Sequence, residues 1–482
     1  MSDRREFLKL IGATAAVALL PEIAARGSAA SAPTQYISRR PPPAQRKFVS
    51  PAVERELARV KAKIGDPKLA RLFENCYPNT LDTTVHTGTL GGQADTFIVT
   101  GDIDAMWLRD SSAQVWPYLP LAAHDDALQR MYRGLIHRHA RCIAIDPYAN
   151  AFMADPRAKT TLSWAQHDDT EMQPGVAERK WEIDSLCWPI RLAHGYWRAT
   201  GDREPFDDDW RAAMHGVVTT FRVQQRKHGR GPYRFQRAAT SPTDTLALGG
   251  YGWPAKPVGL IFSMFRPSDD ACKYPLFVPG NEFAVVSLRQ LAAMSRALHH
   301  DGAFAADCEA LAKEVEAALA NHAQMRDADG KAFWAYEVDG YGNQLSMDDA
   351  NVPSLLALPY LGCCERDDAR YRHTRARVWS DHNPYFFHGT AASGIGGPHE
   401  GLRMIWPMSI MLRALTSNNA GTIRQCLHWL ATTDAGTGFM HEAFDQDDPS
   451  HYTRAWFAWA NSLFGELIVD VAAGHPELLQ SA

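Results

Sequence analysis

Beyond residue 50 the apolar positions of the chain recur at helical spacing, in two alternating styles. Six segments are amphipathic: Pro51 to Asn75, Asp126 to Ile143, Asp207 to Arg226, Asp301 to His322, Asp367 to Trp379 and Asn419 to Ala431. Six others are apolar nearly all round and start directly after a loop rich in acids, aromatics and proline, near Ser111, Ile183, Gly280, Asn351, Leu402 and Tyr452. A helix that is hydrophobic on every side must be enclosed, whereas an amphipathic one can face water. Their alternation predicts an inner ring wrapped by an outer ring, an all-α (α/α)6 toroid whose six loaded loops open on one face. No self-similarity at a period of roughly 20 to 50 residues is visible, which argues against a solenoid.

Two stretches interrupt the helical rhythm. Gly231 to Met264 carries Gly249-Gly-Tyr-Gly252 and several prolines, and Gly330 to Leu345 reads as a β-hairpin around Asp339-Gly340. Both are expected as small inserts at the rim of the toroid's mouth, where loops carry specificity. At the N-terminus, Asp3-Arg4-Arg5-Glu6-Phe7-Leu8-Lys9 precedes a mild apolar run from Leu10 to Leu20. Adjacent arginines before so short a run match a twin-arginine export signal over residues 1–32, which leaves 33–50 as a linker and 51–482 as one toroidal domain. The run is too short to cross a bilayer. The mature chain is therefore expected in a periplasm or outside the cell, with no membrane span after signal cleavage.

Charge and cysteines narrow the classes further. The net charge is -5 and no dense basic block lies beyond the N-terminus, so a nucleic-acid partner is not expected. The 8 cysteines are scattered without C-x-x-C spacing, which speaks against structural zinc and for buried free thiols, with Cys363-Cys364 at a turn as the exception. His167-Asp168-Asp169 and His441-Glu442 are the metal-like clusters, and a single histidine beside acids is more commonly a hydrogen-bonding partner than a ligand. No metal or cofactor is expected. No G-x-S-x-G elbow, phosphate loop, G-x-G-x-x-G turn or H-E-x-x-H helix is present, so acyl transfer, nucleotide chemistry and zinc proteolysis lack support.

The loaded loops carry the remaining chemistry. The richest, Gly101 to Leu119, sets Asp102, Asp104, Arg109 and Asp110 beside Met106, Trp107 and Leu108 at the mouth of a helix. The others bring Asp184, Asp269 with Asp270, Asp348 with Asp349, Glu400 and Glu442. Helix capping accounts for an aspartate just before a helix, but not for the accompanying Trp, Arg, His and Asn. Acids, a fixed cation and aromatic faces suit a sugar, which presents hydroxyls at its edges and C–H groups on its faces. Hydrolysis of a glycoside needs one protonated carboxyl and one ionised carboxyl in unlike surroundings. Phe265, Cys272 and Tyr274 could keep the proton on an aspartate between them by desolvation, provided Arg266 points elsewhere.

Gly101-Asp-Ile-Asp-Ala-Met-Trp-Leu-Arg-Asp-Ser111, Phe265-Arg-Pro-Ser-Asp-Asp-Ala271, Met347-Asp-Asp-Ala-Asn-Val-Pro-Ser-Leu-Leu356 and Gly438-Phe-Met-His-Glu442 resemble glycoside hydrolase family 125, the metal-independent exo-α-1,6-mannosidases. The likeness runs from about residue 50 to residue 472. It implies an (α/α)6 fold, inversion at the anomeric carbon, a general acid at Asp269 or Asp270 and a general base at Glu442. It further implies that Arg109, Asp110, Asn351 and His399 hold hydroxyls of the terminal sugar, with Trp107, Asp184 and Arg266 completing the sugar site. The implied partner is a mannose-containing oligosaccharide or N-glycan fragment. Where the family leads one to expect Ser-Pro-His-Thr-Pro, this chain has Gly397-Pro-His-Glu-Gly401, with a carboxylate beside His399. The competing readings are another exo-glycosidase such as an α-glucosidase, a metal-dependent α-mannosidase, and a glycan-binding protein without turnover.

Overall fold

The computed structural model describes residues 37–239 and 241–480. The expected export signal lies outside the described residues, as does the first part of the expected linker. From Arg40 the linker is fastened to the domain: Arg40 Nε donates to Asp82 Oδ2 at 2.8 Å and its Nη1 to Glu54 Oε2 at 3.0 Å.

The helices that build the domain are α1 (Pro51–Lys61), α2 (Pro67–Cys76), α3 (Leu108–Val115), α4 (Asp126–Ile145), α5 (Ile183–Thr200) and α6 (Asp208–Gln224). They continue as α7 (Val278–Met294), α8 (Gly302–His322), α9 (Ala369–Val378), α10 (Pro407–Leu415), α11 (Ala420–Thr432) and α12 (Ala458–Gly474). Helices α3, α5 and α7 pack side by side, α10 packs on α12, and α12 closes the ring on α3. Outer helices α4, α8 and α11 lie against α5, α7 and α10. The ring's axis is filled by side chains: Trp188 meets Phe283 edge-on at 5.3 Å and Trp459 at 5.6 Å. One continuous apolar core therefore runs through both rings.

Two expected helices take another form. Pro51 to Asn75 breaks into α1 and α2 at Gly65-Asp66-Pro67, where Pro67 has no N–H to continue a helix and the Asp66 carboxylate accepts from Leu69 N at 2.9 Å. The inner segment after Asn351 is a run of buried turns rather than a regular helix. There the Asp348 carboxylate accepts from Leu355 N at 2.8 Å and Leu356 N at 2.9 Å, and prolines stand at positions 353 and 359. Val352, Leu355, Leu356 and Leu358 are nonetheless buried in the common core, so the segment takes its place in chain order between α7 and α10 without a helical backbone.

The two rings differ at their helix starts. Asp125, Asp207, Asp301, Asp368 and Asn419 cap the outer helices α4, α6, α8, α9 and α11 through their side chains. None of the five inner helices has a side-chain cap, and aromatic residues Trp107, Phe277, Trp406 and Phe457 stand at four of those starts. The acids of the mouth are thus not spent on capping the inner helices; Leu108 N, Val278 N and Ala458 N instead donate to the carbonyls of Asn150, Tyr336 and Thr100.

The strands form small antiparallel sheets. The longest hairpin, Val85–Leu90 with Gln93–Ile98, turns at Gly91-Gly92, both at positive φ as such a tight turn requires. Gly330 to Leu345 contributes to two hairpins, pairing Ala332–Trp334 with Gln324–Arg326 and Glu337–Val338 with Gln344–Leu345. Gly231 to Met264 is mostly irregular. Neither stretch supplies a residue to the lining of the cleft described next. All 8 cysteines are free thiols, six buried and Cys363 and Cys364 half-buried. Among the described residues, no helix is long and apolar enough to cross a membrane.

Candidate active site

The mouth of the toroid holds a cleft that draws on every inner segment except that of α5: Trp107, Arg109 and Asp110 before and in α3, Asp269 before α7, Asn351, His399 and Trp406 before α10, and Glu442, Arg454, Phe457 and Trp459 at α12. In ring order the loops bearing Asp269 and Glu442 precede the third and sixth inner segments, which are opposite one another in a ring of six. Trp459, backed by Trp188, closes the base of the cleft.

Three small sheets aim these loops. Met106–Trp107 pairs with Ala151–Phe152, which pairs with Val176–Glu178, so that Trp107, Asn150 and Glu178 come together although they lie on separate loops. Leu276–Phe277 pairs with Glu337–Val338 beneath the loop of Asp269. Ala443–Asp445 pairs with Met404–Ile405 and with Tyr452–Thr453, which places Glu442 beside Thr453 and Arg454.

On one wall a single guanidinium faces four carboxylates. Arg109 lies 2.6 Å from Glu182, 3.3 Å from Asp184, 3.6 Å from Asp110 and 4.0 Å from Asp269. Burial works against the charge on Arg109, but Glu182, Asp184, Asp110 and Asp269 together hold it well above its ordinary value. Burial raises the carboxyls of Asp110 and Glu182 and pushes Asp184 up to about 6. Asn150 Nδ2 donates toward Glu178 at 3.0 Å, Asp269 at 3.2 Å and Glu182 at 3.3 Å. An amide nitrogen has two hydrogens, so three carboxylate oxygens crowd two donors. Glu182 also hydrogen-bonds Asp269. Burial, and then the neighbouring charges of Asp269 and Asp184, hold the Glu182 carboxyl well above its ordinary value. Asp269 itself adopts φ 68°, a left-handed conformation that costs an aspartate energy and is kept by its surroundings, including Lys180 Nζ donating to its carbonyl at 2.8 Å.

The opposite wall is simpler. Glu442 is buried; its Oε1 accepts from Arg454 Nη1 and its Oε2 from Thr453 Oγ1, both at 3.2 Å. Arg454 is anchored from behind by Asp102, its Nε donating to Oδ1 at 2.9 Å, and holds φ 37°. Gly101, at φ 127°, lets this junction close: a Cβ there would lie 2.4 Å from the Trp456 carbonyl oxygen.

Of the residues singled out in the sequence, Trp107, Arg109, Asp110, Asp269, Asn351, His399 and Glu442 meet at the cleft. Three do not reach it. Asp184 is fully buried beneath Arg109, one layer below the cleft. Arg266 turns away, its Nε donating to Glu337 at 2.6 Å with its guanidinium over Tyr336, because the strand Glu337–Val338 passes behind its loop. Asp270 points back from the cleft; its carboxylate accepts from Ser268 Oγ at 3.1 Å and stands 3.9 Å from His399 Nδ1. The departure at Gly397 also has a structural reason, since a Cβ there would lie 2.7 Å from Asp349 Oδ2. Glu400 stands 3.8 Å from His399 Nε2.

Sequence reasoning missed Arg454, Glu182 and Asn150. Arg454 was legible as a lone cation in the loop before the last apolar helix. Glu182 sits two residues before Asp184 in the same motif. Asn150 follows an outer helix and carried no signal. The metal-like clusters serve other ends: Asp168 is bound by Arg237 at 2.7 Å, and His441 stacks on Tyr452 at 3.8 Å. Among the described residues no group of three or more His, Cys, Asp and Glu is placed to hold a metal ion.

A mouth with facing carboxylates on an (α/α)6 toroid defines the class of a glycoside hydrolase. The family model of the metal-independent alpha-mannosidases (GH125) matches residues 66–469. The chain belongs to that family and is a GH125 α-mannosidase. The Meiotically up-regulated gene 157 protein of Schizosaccharomyces pombe is 42% identical over 468 residues, spanning 94% of this chain and 91% of that one. A solved metal-independent α-mannosidase of Streptococcus pneumoniae, in a non-productive complex with α-1,6-mannobiose, is 40% identical and matches with a TM-score of 0.84 over 89% of this chain and 100% of that one. A bacterial glucoamylase complexed with acarbose shares the fold alone, with a TM-score of 0.52 at 11% identity over 87% of this chain and 59% of that one.

Proposed function

We propose that this chain removes terminal α-1,6-linked mannose from glycans in a single displacement that inverts the anomeric carbon. Asp269 donates a proton to the glycosidic oxygen while Glu442 takes one from the attacking water. The observation that carries this reading is that, of the two adjacent aspartates, Asp269 lines the cleft across the ring from Glu442 while Asp270 is turned into the wall. Glu182 hydrogen-bonds Asp269 and its carboxyl is raised well above the ordinary value, so a proton is held beside Asp269 for the donation. Arg454 and Thr453 fix the orientation of Glu442, as a base acting through a water requires.

Arg109, Asp110, Asn351 and His399 supply donors and acceptors for the hydroxyls of the terminal sugar, and Trp107, Trp406 and Phe457 supply apolar faces. A cleft closed at its base by Trp459 suits chain ends rather than chain interiors. The linkage is supported by the α-1,6-mannobiose bound to the Streptococcus pneumoniae relative. The paired arginines Arg4-Arg5 and the apolar run after them support export to a periplasm or beyond, where such glycans would be met.

The test is proton NMR of the anomeric signals while the purified mature protein digests α-1,6-mannobiose in the presence of EDTA. β-Mannose appearing before mutarotation is the expected result. α-Mannose appearing first would replace inversion with retention through a covalent intermediate, and cleavage of the α-1,2 or α-1,3 isomer alone would replace the linkage.

A further inference from the structure

The irregular stretch Gly231 to Met264 builds a separate groove of about 620 Å³ that has no part in the chemistry above. It hangs from the C-terminal end of α6, and since outer helices run antiparallel to inner ones, that end lies on the mouth face of the toroid. Two arginines line it. Arg226 is only 9% exposed, with its guanidinium 4.6 Å over the ring of Phe262. Its polar partners are neutral and distant: the Gln224 side chain, the Tyr251 carbonyl and the Met264 sulfur, each at 3.3 Å. Arg230 is exposed and stands 5.0 Å over Tyr251. Neither is paired with a carboxylate among the described residues.

Among the buried arginines of the described residues, Arg226 shares that absence with Arg191, which lies over Trp116, Trp188 and Tyr360 and takes no part in the lining of the groove. Arg109, Arg138, Arg179, Arg237 and Arg266 are about as buried, and each meets a carboxylate directly. A guanidinium taken out of water costs several kcal/mol unless something answers its charge. Here burial pushes Arg226 down to about 10, and the charge of Arg230 adds to the push. Two like charges held together over aromatic rings, without an acid, complement an anion. Beside them Trp253 is 52% exposed, a flat ring open to solvent next to Tyr251. A sugar ring stacks its C–H face on such a platform, and a guanidinium fork takes a phosphate or carboxylate in two hydrogen bonds.

We propose that this groove is a second glycan site that binds an anionic saccharide, a sugar ring bearing a phosphate or a carboxylate, with Arg226 and Arg230 on the anion and Trp253 on the ring. The site is independent of Asp269 and Glu442. It would hold a charged branch of a glycan on the same face of the toroid as the cleft that trims it.

The test is calorimetric titration of the full chain with methyl α-mannoside 6-phosphate, methyl α-glucuronide, uncharged methyl α-mannoside and inorganic phosphate. Wild type is compared with R230Q, W253A and D269N. At least one anionic sugar should bind, about tenfold more weakly in R230Q and in W253A, the loss expected for one charge-assisted contact or one stacked ring. D269N should bind it as wild type does. W253A should leave inorganic phosphate binding unchanged, which separates the ring from the anion. Binding of the 6-phosphate alone or the uronide alone supports the site and identifies the anion. R226Q removes a buried side chain and is read only if its melting temperature is retained; the exposed Arg230 and Trp253 keep the test decisive without it. The proposal fails if neither anionic sugar binds better than methyl α-mannoside. It also fails if D269N weakens binding as much as R230Q, which would place the sugar in the cleft. Wild-type affinity in both R230Q and W253A overturns it too, and a change only in sedimentation on W253A would assign the groove to contact between copies.

Discussion

The two walls of the cleft solve opposite problems with similar parts. The Asp269 wall crowds four carboxylates around Arg109 and three around the amide of Asn150, whereas the Glu442 wall gives its carboxylate one guanidinium and one hydroxyl. On the first wall burial raises the carboxyls of Asp110, Glu182 and Asp184. A carboxylate met by a cation and a hydroxyl is oriented to receive a proton. Each wall also holds one non-glycine residue at positive φ, Asp269 at 68° and Arg454 at 37°. Such strain persists only where the surroundings over-determine it. The setting of each carboxyl is thus fixed by its neighbours, not by its residue type.

The largest effects should come from the two carboxyls themselves. D269N and E442Q are each expected to lower kcat on α-1,6-mannobiose by about 10²–10⁴-fold. They should part company on a mannoside whose leaving group needs no protonation, such as a dinitrophenyl mannoside: D269N regains most of its rate and E442Q does not. Equal recovery of both would erase the assignment of acid and base. Next, R454Q should lower kcat by about tenfold with little change in KM, because Arg454 orients Glu442 and the loss is felt in the transition state. A rise in KM alone would make Arg454 a sugar ligand instead.

A smaller, more diagnostic effect is expected for E182Q. The negative charge that Glu182 brings opposes ionisation of the pair it forms with Asp269. Like charges repel mutually, so removing that of Glu182 should move the basic limb of the kcat profile to lower pH. An unmoved limb would show that the proton is held elsewhere. Smallest is the effect of Asp184 on stability. Burial raises its carboxyl from 3.8 to about 6, so the folded state holds that proton more tightly than the unfolded chain. Stability from this group is therefore full below about pH 4 and is lost as pH rises through about 6. Thermal melts should show the wild type losing a few degrees over that window and D184N losing less.

Much of this arrangement was legible along the chain. The five outer helices from α4 onward begin within two residues of where the apolar period starts, because each opens on an Asp or Asn whose side chain caps it. The loops before the inner helices announced their acids and aromatics for the same local reason. The break at Pro67 was also written locally, although it lay inside a segment that reads as one helix, and the hairpin at Gly91-Gly92 is marked by its paired glycines. The turns after Asn351 were not, since an apolar run fits a buried helix and a buried coil equally well.

What the sequence determined by itself was therefore periodic and local: which helices are enclosed, where each begins, and that the loops of one face carry the chemistry. What only the tertiary structure decided was direction. Asp269 and Asp270 are neighbours of one residue type, and Arg266 and Arg109 are cations in equivalent loops, yet one of each pair reaches the cleft and the other is drawn into the wall. Glu337 draws Arg266 away from a position 71 residues distant in the chain, and Asn150 reaches Asp269 across 119. Such partners are chosen by strands that meet only once the ring has closed, so no window of sequence contains the information.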